Sequence, residues 1–340
     1  MVLPKPTHQF KIPSLYDGGL LQCRIYHGDC WRDLDMKPTC RIKGAMIAHP
    51  YAPLGGCYDD PVVAVVGSEF LRAGYIVGTF NLRGAGDSQG RTSWTAKPEF
   101  GDFISFYFFL AHYILGLDAN LSQTSTVPEN DVASIDGRHG PSIIVSGYSY
   151  GSMLARYSPP SRSILSAFQR PKENDPAFRI LQQARSLSLK WNIGAGMHNT
   201  YSTSDQSTSV ISNTKITGIN ISYLLISPIL PPASTFTAMS LLTPASKLTI
   251  TINGDCLPTS DLQDKVLGHR TLVIFGEKDG FTSSKKLLAW CEDLKKVEGS
   301  QLDSIMVKGA GHFWHEDKVE SQMRRAIQEW IAMGDIYRNV

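Results

Sequence analysis

The segment SIIVSGYSYG, residues 142–151, decides how this chain folds. Its first half contains Ile143–Val145, an apolar run typical of a buried strand, and residues 152–157 predict the start of a helix. Between them, residues 147–151 match G-x-S-x-G, which in this context predicts a sharp turn that exposes a serine hydroxyl. Ser149 is therefore a candidate catalytic nucleophile. The alternative is a turn of small residues that only connects the strand to the helix.

Apolar strands alternate with helices on both sides of this turn. The pattern predicts strands at residues 10–15, 20–26, 44–48, 75–80, 142–145, 219–227, 271–275 and 304–307. It predicts helices at residues 60–73, 100–117, 152–157, 284–297 and 316–332. Strands that alternate with helices form a mostly parallel, doubly wound sheet, so the predicted fold class is α/β.

Two later turns supply the partners that a nucleophilic serine needs. Asp279 follows the predicted strand 271–275, and His312 follows the strand 304–307. Catalytic groups in open α/β sheets lie beyond the carboxyl ends of the strands, where all three candidates are expected. His312 is the candidate base for the hydroxyl proton of Ser149, and Asp279 is the candidate acid that orients its imidazole.

Each partner has a rival nearby in the sequence. Glu277 is the rival acid, but alternation along the strand end directs it to the other side, which favours Asp279. His315 is the rival base, but it is expected a turn into the closing helix, which favours His312. The H-x-x-H spacing of these histidines has no third ligand at a suitable distance, so no metal site is predicted.

Backbone N–H groups are the expected oxyanion donors. One is the N–H of Tyr150, the residue after the candidate nucleophile. A second is expected from the loop HPYAPLGG, residues 49–56. Pro50 has no N–H, so Tyr51 is the candidate donor there. His49 is expected to bond the loop backbone in a structural role.

Residues 158–218 interrupt the alternation of strands and helices. The stretch is too long for an ordinary loop, so we expect a core of residues 1–157 and 219–340 with 158–218 as an inserted, partly flexible cap or lid. Its first part has apolar residues at helical spacing, which favours helices over the pocket mouth. Its Ser/Thr-rich end, residues 199–217, leaves a disordered surface insertion as the alternative.

Composition excludes several classes of protein. The formal net charge is +2 without a basic stripe, so no nucleic-acid partner is predicted. No apolar run reaches the roughly 18 residues of a membrane span, and Phe103–Leu117 is expected to be a packed helix. The first residues lack the apolar region of a secretory signal, and the six cysteines are scattered without a CxxC pair. A cytoplasmic protein is expected.

Four motifs, in order along the chain, resemble the α/β-hydrolases. The branch that the chain most resembles has HP…P-LGG after the third strand and NxRGxGxSxG after the fourth. The matching segments are His49–Gly56, Asn81–Gly90, Ser146–Gly151 and Gly309–Trp314. The resemblance covers about residues 40–157 and 219–332.

This resemblance implies an eight-stranded α/β-hydrolase fold, a triad of Ser149, Asp279 and His312, and no cofactor. The NxRGxGxSxG turn is mostly structural in the family. Two features depart from the family pattern. Many members have His-Gly where this chain has His49-Pro50, and the 158–218 insertion comes directly after the helix of the serine turn rather than after the next strand.

The sequence thus predicts a serine hydrolase that cleaves an ester or thioester through an acyl-enzyme. Aromatic residues beside the motifs favour a small-molecule substrate with an apolar or aromatic acyl group. One alternative is an acyltransferase or thioesterase that releases a carrier-bound or CoA-bound product. Another is a hydrolase-like binding protein without turnover.

Overall fold

The computed structural model describes residues 2–28, 42–124, 140–160, 162–163, 165, 171–173, 175–194, 219–230, 250–252, 255–257, 265–266 and 268–337. The strands are β1 (His8–Pro13), β2 (Leu20–Tyr26), β3 (Lys43–Ala48), β4 (Ile76–Phe80), β5 (Ser142–Tyr148), β6 (Asn220–Ile226), β7 (Ile250–Ile252), β8 (Asp255–Leu257), β9 (Thr271–Lys278) and β10 (Leu302–Gly311). The helices are α1 (Pro61–Arg72), α2 (Lys97–Thr124), α3 (Tyr150–Tyr157), α4 (Pro176–Gly194), α5 (Ser284–Lys295) and α6 (Val319–Tyr337).

Eight strands form one sheet in the order β1-β2-β4-β3-β5-β6-β9-β10. β2 is antiparallel to both of its neighbours, and the other adjacent pairs are parallel. The predicted α/β class and the mostly parallel eight-stranded sheet are therefore confirmed. The short antiparallel pair β7–β8 lies outside this sheet and was not predicted.

The sheet separates two hydrophobic cores. Along β3, Met46 and Ala48 pack into one core while Ala45 and Ile47 pack into the other, because successive side chains of a strand point to opposite faces. The first core contains residues of α2, α3, α4 and α5, and the second contains residues of α1 and α6. Both faces of the central strands are covered, which explains their continuous apolar sequences.

Helix α2 is mostly apolar around its circumference and lies inside the first core. By length and composition Lys97–Asp118 could cross a membrane, yet 83% of its most apolar 18-residue stretch is buried within the protein. A helix that is apolar all round and buried in a large domain is a core helix. The expected packed helix is thus observed, and it continues to Thr124 rather than ending near residue 117.

Helix α4, from the expected cap, packs against α2 and β1. Ile180 and Ala184 are fully buried in the first core, and Gly116 of α2 allows the close approach of Ser188. The buried face of α4 therefore contributes to the first core. Residues 161, 164, 166–170, 174 and 195–218 of the expected insertion lie outside the described residues, and the division of the chain into a core and a cap stays a prediction.

Candidate active site

The turn between β5 and α3 holds Ser149 in a strained backbone conformation. Its φ is 55° and its ψ is −113°, a region that non-glycine residues rarely adopt. A side chain at Gly147 would overlap the backbone of Gly151, and one at Gly151 would overlap the carbonyl group of Ala48. Both positions flanking the serine therefore require glycine, as the G-x-S-x-G pattern implies.

Ser149, His312 and Asp279 form one row of hydrogen bonds. The Oγ of Ser149 lies 2.8 Å from Nε2 of His312, and Nδ1 of His312 lies 2.8 Å from Oδ2 of Asp279. All three side chains are buried. An ionised carboxylate only accepts, so Nδ1 of the imidazole carries the proton and Nε2 accepts from the serine hydroxyl. This arrangement can remove the hydroxyl proton as the oxygen attacks an electrophile.

The Asp279 carboxylate is held from two directions. Its Oδ1 accepts hydrogen bonds from the N–H groups of Phe281 at 2.9 Å and Thr282 at 3.1 Å, while Oδ2 faces His312. Burial by itself raises the pKa of Asp279, but the hydrogen bonds from His312 and the two N–H groups outweigh it and leave the pKa below its usual value. The group is therefore ionised at neutral pH and can stabilise a positive imidazolium.

The two rival residues have other contacts. Oε2 of Glu277 accepts a hydrogen bond from the N–H of Gly309 at 2.9 Å, where the β9–β10 pairing is interrupted. His315 is exposed and stacks on Phe313 with 6.0 Å between ring centroids. The structure brings Asp279 and His312 to Ser149 and leaves Glu277 and His315 out of this hydrogen-bonded row.

Two aromatic residues that the sequence did not single out for such a role position His312. The hydroxyl of Tyr148 donates to the backbone carbonyl of His312 at 2.8 Å. Nε1 of Trp314 donates to Oγ of Ser227 at 3.1 Å, and Trp314 itself has a positive φ of 57°. These contacts hold the loop after β10 at His312 and at Trp314, two residues further along the chain. Their only sequence signal is that both residues lie within the serine and histidine motifs.

The loop after β3 brings Tyr51 to the same site. Tyr51 lines the cavity beside Ser149 and precedes a single 3₁₀ turn, Ala52–Leu54. Its ring lies 5.2 Å from that of Tyr150, the first residue of α3, whose N–H has no partner within the helix by its position. The side chains of Tyr51 and Tyr150, the residues that carry the candidate donors, are thus in contact beside the serine turn.

His49 connects this loop to the turn that follows β4 through two hydrogen bonds. Its Nδ1 donates to the carbonyl of Pro50 at 2.6 Å, and its Nε2 accepts from the N–H of Leu82 at 2.9 Å. Burial lowers the pKa of His49 to about 4, although the bond to the Pro50 carbonyl acts in the opposite direction. The imidazole is therefore neutral and bonded to backbone at both nitrogens, which is a structural arrangement.

The NxRGxGxSxG turn is held by a buried ion pair. Nε and Nη2 of Arg83 donate to the two carboxylate oxygens of Asp102 at 2.9 and 2.7 Å, and Nη1 donates to Asp17 at 2.9 Å. Arg83 and Asp102 are both buried. The guanidinium fork matches the carboxylate geometry, so this ion pair holds the turn against α2.

A cavity of about 170 Å³ opens above Ser149. It is lined by Pro50, Tyr51, Leu54, Gly55, Gly56, Asp60, Pro61, Val62, Tyr148, Ser149, Phe281, His312, Phe313 and His315. Helix α4 contributes none of these residues. Within the described part of the chain, no group of His, Cys, Asp and Glu side chains is arranged to hold a metal ion.

Known proteins resemble this chain in structure rather than in sequence. No protein-family model and no curated protein matches the chain. Among solved structures, Est1E from Butyrivibrio proteoclasticus with bound ferulic acid aligns over 95% of this chain and 98% of its own, with a TM-score of 0.50 and 12% identity. The chain has the α/β-hydrolase fold.

Two other solved structures align with nearly the whole chain. An α/β serine hydrolase homologue from Coxiella burnetii aligns with a TM-score of 0.49 and 14% identity, over 96% of this chain and 98% of its own. XC6422 from Xanthomonas campestris, described as an α/β serine hydrolase without a lid, aligns with a TM-score of 0.46 and 15% identity, over 98% and 97%. At such identities the likeness concerns the fold alone.

Proposed function

We propose that the protein is a serine hydrolase that cleaves a carboxylic ester or thioester through an acyl-enzyme. The observation that carries this proposal is the row of 2.8 Å hydrogen bonds from Ser149 through His312 to Asp279 at the base of an open cavity. The strained turn at Ser149 supports it, since strain of this kind costs about 1–3 kcal/mol and is concentrated at functional sites.

In the first half-reaction, Oγ of Ser149 attacks the acyl carbon while its proton passes to Nε2 of His312. Asp279 stabilises the imidazolium that forms. The carbonyl oxygen becomes an oxyanion, for which we propose the N–H groups of Tyr150 and Tyr51 as donors. When the intermediate collapses, the bond to the alcohol or thiol breaks, and the leaving group takes the proton from His312.

The second half-reaction repeats these steps with water. His312 takes a proton from the water molecule as its oxygen attacks the acyl-enzyme, and returns that proton to Oγ of Ser149 as the carboxylic acid leaves. Ser149, His312 and Asp279 regain their starting protonation states. The cycle needs neither a redox partner nor a further co-reactant.

We further propose an apolar or aromatic acyl group for the substrate. Four cavity-lining side chains support this choice: Tyr51, Leu54, Phe281 and Phe313. Leu54 and Phe313 are exposed in the free protein, so covering them with an apolar substrate removes apolar surface from water.

A fluorophosphonate probe tests the assignment directly. The probe forms a covalent bond with activated serines, so we expect labelling of the native protein at the peptide that contains Ser149. The Ser149→Ala variant should not be labelled, whereas Ser321→Ala, which removes an exposed serine hydroxyl on α6, should be labelled normally. Labelling that persists in Ser149→Ala, or none in the native protein, rejects the proposal and favours a binding protein without turnover.

A further inference from the structure

Asp60 enters the candidate active site from the start of α1. Its Oδ1 accepts hydrogen bonds from the N–H groups of Val62 at 2.8 Å and, more weakly, Val63 at 3.4 Å, which is the geometry of a helix N-cap. Its Oδ2 has no hydrogen-bond partner among the residues that the structure describes. Asp60 lines the cavity together with Ser149 and His312. One carboxylate oxygen thus holds the helix, and the other is available to a ligand.

The charged carboxylate and ammonium or guanidinium groups on the cavity wall are of one sign only, namely negative. Of the described residues that line it, Asp60 is the only carboxylate, and none is a lysine or an arginine. The other ionisable side chains on the wall are His312, His315, Tyr51 and Tyr148. A positively charged group in the cavity is therefore attracted to Asp60, and a negatively charged group is repelled.

Burial makes the Asp60 carboxylate responsive to a cationic ligand. Burial raises the pKa of Asp60, while the N–H groups of Val62 and Val63 and the nearby His315 act in the opposite direction. A carboxylate that has lost part of its hydration gains more from a charged hydrogen-bond donor than an exposed one does.

Helix capping alone does not require a negative charge at this position. Asparagine and serine cap helices about as well as aspartate, and both are neutral. The neighbouring Asp59 shows the contrast: its side chain is 58% exposed, pairs with Arg24, and does not line the active-site cavity. The charge of Asp60 thus has a direct effect on the cavity that the charge of Asp59 lacks.

We infer that Asp60 is a specificity-determining residue. It selects esters that carry a protonated amine and disfavours esters that carry a negatively charged carboxylate besides the ester group. The inference rests on the proposed hydrolase function and adds the substrate's charge to it. The ammonium N–H donates to Oδ2 of Asp60 while the apolar part of the substrate contacts the Leu54 and Phe313 side of the cavity. The amine can belong to the acyl part or to the alcohol part.

Matched esters separate these two arrangements. In the first set the charge is on the alcohol: dimethylaminoethyl acetate, its uncharged isostere isopentyl acetate, and the anionic acetoxypropanoate. In the second set the charge is on the acyl group: ethyl dimethylaminobutanoate, its uncharged hydrocarbon isostere, and the monoethyl ester of glutarate. The kcat/KM of each ester is measured at neutral pH by titration of the acid released.

The variants are Asp60→Asn, which keeps the cap, and Asp59→Asn as the matched control that removes the same charge one residue away. In at least one set, Asp60→Asn should lower the ratio of cationic to neutral kcat/KM about tenfold, the range of a charged hydrogen bond. It should also raise the ratio of anionic to neutral kcat/KM severalfold. Asp59→Asn should leave both ratios within about twofold of the native values.

The results distinguish this inference from the proposed function. If the native protein cleaves none of the six esters and is not labelled at Ser149, the hydrolase proposal itself fails. If it cleaves neutral esters but Asp60→Asn leaves both ratios at the native values in both sets, the inference is wrong and the hydrolase proposal stands. Should Asp60→Asn fail to fold, Asp60→Ser carries the same comparison, because serine also caps a helix.

Discussion

His49 and His312 follow two strands of the same sheet, β3 and β10, and both are buried with both ring nitrogens in hydrogen bonds. They differ in their partners. His49 bonds the backbone groups of Pro50 and Leu82, whereas His312 lies between a serine hydroxyl and a carboxylate. Only His312 lines the cavity. An imidazole bonded to backbone fixes a loop, and an imidazole between a hydroxyl and a carboxylate can transfer a proton.

The largest expected decrease in kcat follows the removal of either Ser149, which donates the proton, or His312, which accepts it. Ser149→Ala and His312→Ala should each lower kcat for a simple ester by roughly 10⁴–10⁶, and the double variant should lose little more, because such residues act as a unit. The midpoint temperature of thermal unfolding (Tm) of both variants should stay near that of the native protein. Activity retained in purified Ser149→Ala, with contaminating esterase excluded, contradicts the assignment of the nucleophile.

The second largest decrease in kcat is expected when the carboxylate beside His312 is replaced. Asp279→Asn should lower kcat by about 10⁴, because an amide at this position does not stabilise the imidazolium and favours the wrong tautomer. Glu277→Gln is the matched control, since Glu277 bonds the N–H of Gly309 and does not belong to the row. Kinetics of the two variants on one ester decide the matter. A silent Asp279→Asn together with a damaging Glu277→Gln reverses the acid assignment.

His49 should show the opposite balance of activity and stability. His49→Leu leaves the N–H of Leu82 and the carbonyl of Pro50 without their partner, which should lower the free energy of unfolding by about 2 kcal/mol. Because the same loop carries Tyr51, we expect a decrease in kcat of no more than about tenfold. Urea unfolding and ester kinetics provide the two readouts. A loss comparable to that of His312→Ala with unchanged stability makes His49 catalytic.

The remaining prediction concerns how the stability of the folded protein depends on pH, with no effect expected on the catalytic groups themselves. The pKa of His49 is about 4 in the folded protein and near 6.5 when unfolded, so between these values the unfolded state binds one more proton at this residue. The contribution of His49 is therefore complete above pH 6.5 and falls by about 1.4 kcal/mol per pH unit as the pH drops towards 4.

The variant His49→Leu isolates this contribution. The pKa values of His27 and His112 are also lowered to about 3 by burial, so the native protein loses stability over the same range for several reasons. Urea unfolding between pH 4.5 and 6.5 should show a smaller slope of stability against pH in His49→Leu than in the native protein. Equal slopes contradict the assignment of His49 as a neutral buried imidazole.

Local patterns were enough to predict most of the sheet and the three residues that lie together beyond the carboxyl ends of its strands. The strands β3, β4 and β5 are short apolar runs, and a buried parallel strand needs no other signal. Residues 147–151 specify a turn whose flanking glycines have no space for a side chain. The β7–β8 pair was missed because strands of three residues carry too little periodicity to recognise.

The position of α4 depended on packing rather than on its own sequence. Its apolar spacing predicts a helix with one buried face but does not say which surface covers that face. The structure supplies α2 and β1 as the partners, and Ile180 and Ala184 of α4 lie in the first core together with residues of α2.

The sequence by itself determined the period of each element, the need for glycine around Ser149, and the order of serine, acid and histidine along the chain. Tertiary structure decided the partners. The contact between Ser149 and His312 joins residues 163 positions apart, and the choice of Asp279 over Glu277 depends on which carboxylate faces that imidazole. The entry of Asp60 into the cavity likewise follows from where α1 starts relative to β5. Backbone preferences act between near neighbours in the chain, whereas hydrogen-bond partners and cavity walls are set by elements that meet only when the sheet is complete.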